Sequence, residues 1–303
     1  MKKKVLFWIL GIIGFFILAG GGYAFYVYSN VSNTLDAVHK PLDRDKSDKR
    51  KEAVDVADQK PVSILMMGVD QRADEAARSD SLMLFTLNPG TKSMKITSIP
   101  RDTYTEIVGK GKKDKINHAY AFGGIDMAVK TVENFLDVPV DHYIEVNMEG
   151  FKDIVDAVGG VDVNNDLDFT YEGTHFEKGN IHLDGAEALK YSRMRYEDPR
   201  GDFGRQMRQR QVIQAVIKEG ATVSSLANYG SVLTAIEKNV KTSLTQSQMF
   251  DMQKNYKGCI ENIEEIQIPG NGGKASNGIW YYHVSEKDRL DLSNKLRQHL
   301  ELK

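Results

Sequence analysis

The sequence predicts a layered α/β domain built on one central sheet and carried on a single N-terminal membrane helix. Short apolar runs closed by glycine or proline recur from Pro61 onward, in the manner of buried strands. Stretches with apolar residues at helical spacing lie between them, and strands mixed with helices pack as layers around a sheet. The third observation is an apolar run from Val5 to Tyr28 that holds no charged residue, long enough to cross the roughly 30 Å hydrocarbon core as a helix.

That run, "VLFWILGIIGFFILAGGGYAFYVY", follows Lys2, Lys3 and Lys4 and ends in Tyr23, Phe25, Tyr26 and Tyr28. Aromatics there suit the interfacial belt, although Gly20, Gly21 and Gly22 weaken the helix. A cleaved signal peptide is the competing reading, with an apolar core of about 7–15 residues, shorter than this one. The first basic residue beyond Tyr28 is Lys40, so the lysine bias sets the N-terminus in the cytoplasm and the remainder outside. The basic run "KPLDRDKSDKRKE" is a modest counter-signal. The expected organisation is a cytoplasmic tail (1–4), a signal anchor (5–28), a polar stalk (29–60) and an extracytoplasmic domain (61–303), held at the cell membrane by one span.

Within the domain, "VSILMMG", "SLMLFTL" and "MKITSIP" read as three strands, the last ended by Pro100. Helices are predicted over Ile125–Phe135, Gly150–Val158 and Gly185–Ser192, with strands at "YIEV" and "GVDV". Val212, Ile213, Val216 and Ile217 fall at helical spacing between Phe203 and Glu219. Two further helices are predicted, Asn228–Val240 and Gln246–Asn255, then a strand in "IEEIQIPG". A last helix in "SEKDRLDLSNKLRQHLEL" carries a serine cap and an early acid. Over 303 residues the net charge is -2, which argues against a general polyanion binder. The single cysteine, Cys259, excludes an internal disulfide framework and a cysteine-rich zinc site.

Chemistry-bearing side chains collect in four stretches. "GVDQRADEAARSD" sets Asp70 at the end of one predicted strand and Asp80 at the start of the next, with Arg72 and Arg78 between. Sites in open α/β sheets gather at strand ends, and two carboxylates beside arginines suit Mg²⁺ with a phosphate. Taken alone, this loop fits a polar connection with surface ion pairs better. "SIPRDTY" then brings Arg101 and Asp102, and "KINHAYAFGG" brings Lys115, Asn117 and His118 ahead of a helix starting near Gly123 and Gly124. A lone histidine there is more often structural than functional, and the glycine pair fits a plain turn or an anion site at a helix start.

"YSRMRYEDPRGDFGRQMRQRQ" holds six arginines and three acids in twenty-one residues. Asp202, Arg205 and Gln209 step by three and four and share one side of a helix start, with Asp202 expected to cap it. Arg193 and Arg195 share a face if extended. Arg208 and Arg210 point elsewhere and read as a solvated pair, and Arg200 as solvated or structural. Arginine's planar fork suits phosphate oxygens.

Together "GVDQR…RSD", "SIPRD", "KINHAYAFGG", "GFKDIVDAVGGVDV", "HLDGAEALKYSRMR" and "GDFGRQMRQRQ", in that order over about residues 61–215, resemble the LytR-CpsA-Psr family of bacterial cell-wall enzymes. The likeness is strongest to members that attach teichoic acid to peptidoglycan. The resemblance implies an αβα sandwich with a central mixed sheet, holding a polyprenyl pyrophosphate lipid in an apolar groove. It implies that Asp70 and Asp80 carry Mg²⁺ (or Mn²⁺) and that Arg101, Arg193, Arg195, Arg205 and Gln209 meet the pyrophosphate. Arg72, Arg78, Lys115 and Asn117 are further candidates for pyrophosphate contact, and Arg101, Arg193, Arg195 and Asp202 for catalysis. The implied partners are an undecaprenyl-pyrophosphate-linked glycopolymer and peptidoglycan, joined by an Mg-dependent phosphotransferase.

Two other functions fit some of these residues. A polyprenyl pyrophosphate hydrolase or lipid-carrier binding protein would use the same motifs. A regulator could track nucleic acid with its arginines, but the topology, the near-neutral charge and the acids mixed into the cluster oppose it, so no nucleic-acid partner is expected.

Overall fold

The computed structural model describes residues 29–70, 78–220, 229–276 and 278–302. The membrane span expected over 5–28, and Arg72, lie outside them. Among the described residues no helix is long and apolar enough to cross a membrane.

In chain order the elements begin with α1, the helical residues 29–38. Then come β1 (Val62–Asp70), β2 (Arg78–Asn88), β3 (Ser93–Ser98), β4 (Tyr104–Ile107), β5 (Lys112–Lys115) and α2 (His118–Leu136). Next are β6 (His142–Asn147), α3 (Met148–Ala157), β7 (Val161–Asn165), β8 (Phe169–Tyr171), β9 (Thr174–Phe176), β10 (Gly179–Leu183), α4 (Gly185–Arg193) and α5 (Asp202–Gly220). The chain continues with α6 (Tyr229–Asn239), β11 (Val240–Thr242), α7 (Gln246–Tyr256), β12 (Ile263–Gln267), β13 (Asn271–Lys274), β14 (Trp280–His283) and α8 (Glu286–His299).

Six strands form the central sheet in the order β11–β6–β1–β2–β3–β12. β1 runs parallel to β6 and β3 to β12, while the remaining pairs are antiparallel, so the sheet is mixed. Strand alternation sends successive side chains to opposite faces. Leu65, Met67 and Val69 of β1 join α2 and α8 in one core. Ile64 and Met66 face the other way, toward Ile213 of α5 and Met252 of α7. Helices therefore cover both faces, an αβα arrangement. A separate core joins α3, α4 and α5 to the small strands β7–β10.

The predicted helix ends are well marked. α4 begins in a capping box formed by Asp184 and Glu187, and Ser285 caps α8. α2 starts earlier than Ile125, yet Gly123 and Gly124 leave helical geometry inside it. Gly124 has φ +63°, a conformation open to glycine at no steric cost. Residues 29–60, expected as a stalk, are tied to the domain. Arg44 forms a bidentate pair with Glu133, and Arg50 with Asp141.

Candidate active site

β1 and β2 position the first two carboxylates through an irregularity. Gly68 pairs with Ser81 but Val69 pairs with Ser79, so Asp80 is the extra residue of a bulge. Bulges re-aim a side chain out of the strict alternation. As a result Asp80 and Ser81 both line the cavity that Asp70 lines. Gly68 belongs to this close approach, because a Cβ there would stand 3.0 Å from the Cβ of Ser81.

Arg101 follows Pro100 just past β3 and lies 2.9 Å from Asp80, with Asp102 at 3.9 Å. Burial works against its charge, but Asp80, Asp102 and Asp202 outweigh burial and hold its pKa above the ordinary value. α4 delivers Arg193 at its last turn and Arg195 just beyond, and both line the cavity. Arg193 has no carboxylate partner among the described residues. Asp202 takes Arg205 at 2.7 Å, stands 4.0 Å from Arg195, and accepts a hydrogen bond from Gln206. Its carboxylate thus aligns guanidiniums, and it is the first residue of α5 rather than a cap before it. Burial lowers the pKa of Arg205, with Asp202 opposing, yet a guanidinium keeps its charge. Ser81 donates to Gln209 at 3.1 Å, tying β2 to α5.

α5 sorts its side chains by helical phase. Arg205, Gln209, Ile213 and Val216 face the cavity. Arg208, expected in solvent, is fully buried instead, on the same face as the core residues Val212 and Ala215. It donates to the carbonyls of Tyr191 (3.1 Å) and Met194 (2.7 Å) and to Asp198 (2.7 Å). Burial acts to raise the Asp198 carboxyl, but hydrogen bonds from Arg200 and Arg208 overcome it and bring it to about 2. Arg210, the other arginine expected in solvent, is buried too, donating to Glu265 and Ser98. Arg200 pairs with Asp166 and Asp198, a structural role. Solvent is the wrong expectation for both because α5 is packed on more than one side: Arg208 turns to the end of α4 and Asp198, Arg210 to Glu265 and Ser98 beside the sheet, and buried charges are paired.

The cavity measures about 800 Å³, within the roughly 300–1,000 Å³ usual for ligand sites. Its lining combines a polar set, Asp70, Asp80, Arg101, Arg193, Arg195, Arg205 and Gln209, with apolar side chains that include Ile144, Val146, Phe151, Ile213 and Met249. Other candidates lie elsewhere. Arg78 is exposed and stands opposite Asp70 in register. Lys115 is 2.7 Å from Asp102, behind Arg101. Asn117 is buried, its Oδ1 without a hydrogen-bond partner. His118 pairs with Asp114. None of these four lines the cavity. Sequence reasoning missed Ser81, Tyr171 and Glu172 in the lining, and the buried Arg208. Only for Arg208 was there a signal, its four-residue step to Val212.

A largely apolar cavity whose lining also carries four arginines and two aspartates defines a class: an α/β domain with the chemistry to take an amphiphile with an anionic head. The LytR_cpsA_psr family model matches residues 25–298. The chain belongs to the LytR_cpsA_psr family. A "Polyisoprenyl-teichoic acid--peptidoglycan teichoic acid transferase TagU" of Bacillus cereus is 72% identical over 302 residues, covering 100% of this chain and 99% of that protein. The crystal structure of B. subtilis TagU is 50% identical with a TM-score of 0.65, covering 80% of this chain and 98% of that one. A structure of TagT bound to LIIa-WTA is 32% identical with a TM-score of 0.73, covering 87% of this chain and 100% of that one.

Proposed function

We propose that this protein attaches a teichoic-acid-type glycopolymer, carried on undecaprenyl pyrophosphate, to a hydroxyl of peptidoglycan, and releases undecaprenyl phosphate. One observation carries the reading. Arg193, which has no carboxylate partner among the described residues, lines a largely apolar cavity together with Arg101, Arg195 and Arg205. A pyrophosphate with a prenyl tail matches both halves. The names of the relatives support the same activity.

In the proposed reaction an acceptor hydroxyl, expected on N-acetylmuramic acid, attacks the phosphorus that bears the glycopolymer. The new P–O bond forms as the bond to the lipid phosphate breaks. Positioning and charge neutralisation dominate such transfers. Arg193 and Arg195 hold the pyrophosphate from the end of α4, and Arg205 with Gln209 holds it from α5. Arg101, fixed by Asp80, takes up charge developing on the leaving phosphate. Asp202 orients Arg205 and Arg195. The hydroxyl proton passes to a carboxylate of the cavity lining, where Asp70 and Asp80 are the two aspartates.

The same two aspartates fit Mg²⁺ (or Mn²⁺), since magnesium takes one or two carboxylates and completes its shell with phosphate and water. When bound, the ion would neutralise phosphate oxygens. Membrane anchoring through residues 5–28, with the N-terminus cytoplasmic and the domain outside, completes the proposal and sets the site beside its lipid. A reporter fused after Lys303 tests that topology; cytoplasmic placement would overturn it.

The activity is tested by incubating purified full-length protein with lipid-linked glycopolymer and peptidoglycan. Wild type should couple polymer to the wall, and Arg193→Ala and Arg101→Ala should each lose at least ~10³-fold while keeping the wild-type circular dichroism. Transfer near wild type in either variant would remove this site from the reaction. Free phosphorylated polymer without attachment would instead support hydrolysis.

A further inference from the structure

We propose that the segment between the N-terminal apolar run and the domain, residues 29–50, is part of the lipid-tail site: α1 walls the far end of the cavity and selects the carrier chain. This rests on the reading of the cavity as a lipid-pyrophosphate site.

Leu35 and Val38 of α1 line the same cavity as the arginines, next to Thr242, Leu244 and Met249. Their place in the sheet order gives the direction. Asp80 lies on β2, and Thr242 lies on β11, three strands away. At ~4.8 Å per strand that is roughly 14 Å across the sheet. The anionic head therefore sits at β1 and β2, and α1 closes the opposite, apolar end. α1 is also the part of the described chain nearest in sequence to the apolar run over 5–28, so the tail end of the cavity adjoins the route back to the bilayer.

The segment is built into the fold. Lys40 N–H donates to the Thr242 carbonyl at 2.7 Å, and Tyr143 OH donates to the Lys40 carbonyl at 2.8 Å. Ser32 donates to Gln246 at 3.0 Å, which pins α1 to α7. Further along, the basic run provides two clamps. Arg44 meets both oxygens of Glu133 at 2.6 and 2.9 Å and donates to the Val140 carbonyl. Arg50 meets both oxygens of Asp141 at 2.9 and 2.7 Å and donates to the Pro61 carbonyl. Bidentate pairs of this kind fix geometry as well as charge, and these are largely buried. A free stalk would need none of them. Leu35 and Val38 are positioning and selectivity residues, remote from the reacting atoms.

The test uses full-length protein in micelles and one glycopolymer on two carriers, undecaprenyl pyrophosphate and geranyl pyrophosphate. Leu35→Trp fills the far end, which only the longer chain reaches. The ratio of kcat/KM for the undecaprenyl over the geranyl carrier should fall at least ~10-fold, the scale at which apolar pockets discriminate, with the change in KM. Val38→Ala, which removes wall without adding bulk, should also move the ratio and guards against misfolding of the tryptophan variant. Arg193→Ala serves as the separate control. A wild-type ratio in both α1 variants, with Arg193→Ala inactive on both carriers, overturns the wall and leaves the active-site reading standing. Transfer retained in Arg193→Ala overturns both.

Discussion

Arg208→Met tests whether a buried arginine outside the cavity holds the arginines that line it in place. The guanidinium donates to Asp198 at 2.7 Å and to the carbonyls of Tyr191 and Met194. Those two residues bracket Arg193, so Arg208 secures the end of α4 from which two cavity arginines project. The side chains of Arg208 and Asp198 are both 0% exposed. Removing one partner of a buried ion pair costs ~3–5 kcal/mol, because the other charge is stranded. Asp198 keeps Arg200 at 2.9 Å, which favours the lower end, about 3 kcal/mol. At ~2–4 °C per kcal/mol for a domain of this size, Tm should fall by about 6–12 °C. Urea denaturation followed by circular dichroism gives the stability, and transfer kinetics should show a higher KM as Arg193 loses its support. Asp198→Asn combined with Arg208→Met should cost less than the sum of the two, since the stranded charge is gone. A loss below about 1 kcal/mol for Arg208→Met alone, typical of surface sites, would refute the argument.

The same carboxylate is tested from the other side by Gly204→Ala, whose Cβ would lie 1.9 Å from Asp198 Oδ2. Forcing that overlap should cost roughly 1–3 kcal/mol by the same denaturation assay. His299 predicts a pH dependence. It is buried between Thr86 and Ser93, and burial, with Lys95 adding to it, lowers its pKa from 6.5 to about 4. The folded chain therefore keeps the imidazole neutral while the unfolded chain protonates it. Its contribution is complete above pH 6.5 and is lost as pH falls through about 4, about 3 kcal/mol in all. Unfolding free energies measured from pH 7 to 4 should show that slope, and His299→Gln should remove that part of it.

Legibility in the sequence followed burial. β1, β2 and β3 were readable because both faces are covered, leaving near-continuous apolar runs such as "SLMLFTL". The hairpin strands were not readable. β5 is "KKDK" and β13 is "NGGK", with no apolar residue to set a period. They form because a neighbour supplies the contact: a Cβ on Gly272 would fall 2.0 Å from Cζ2 of Trp280, so the glycine makes room for the indole across the hairpin. Within the site, strand ends and helix phase located Asp70, Asp80, Arg205 and Gln209. Lys115 lies near a helix start in sequence, but its ammonium turns to Asp102, a partner that pairing of β4 with β5 brings close. At Arg208 the charge points to solvent but the helical phase, shared with Val212, points to the core, and the phase prevails. The walls escaped notice for another reason: Phe151, Ile213 and Met249 have the pattern of ordinary core residues, and nothing in one sequence separates a side chain that faces another from one that faces a cavity.

That last ambiguity explains where the cavity comes from. The sheet face carrying Ile64, Phe85 and Ile96 is closed by Tyr256 and Cys259. The core of α3, α4 and α5 closes on β7–β10 instead. Between these two cores the sheet positions Met66, Gly68, Ile144 and Val146 confront α3 and α5 across open space, and Gly68 adds no side chain to fill it. Two cores that each satisfy themselves leave an apolar gap at their seam, and the bulge at Asp80 and the end of α4 add carboxylates and arginines to its lining. Filling the gap with larger side chains would strengthen the fold and abolish the proposed site, so the cavity is the direct result of α5 dividing its faces between two neighbours.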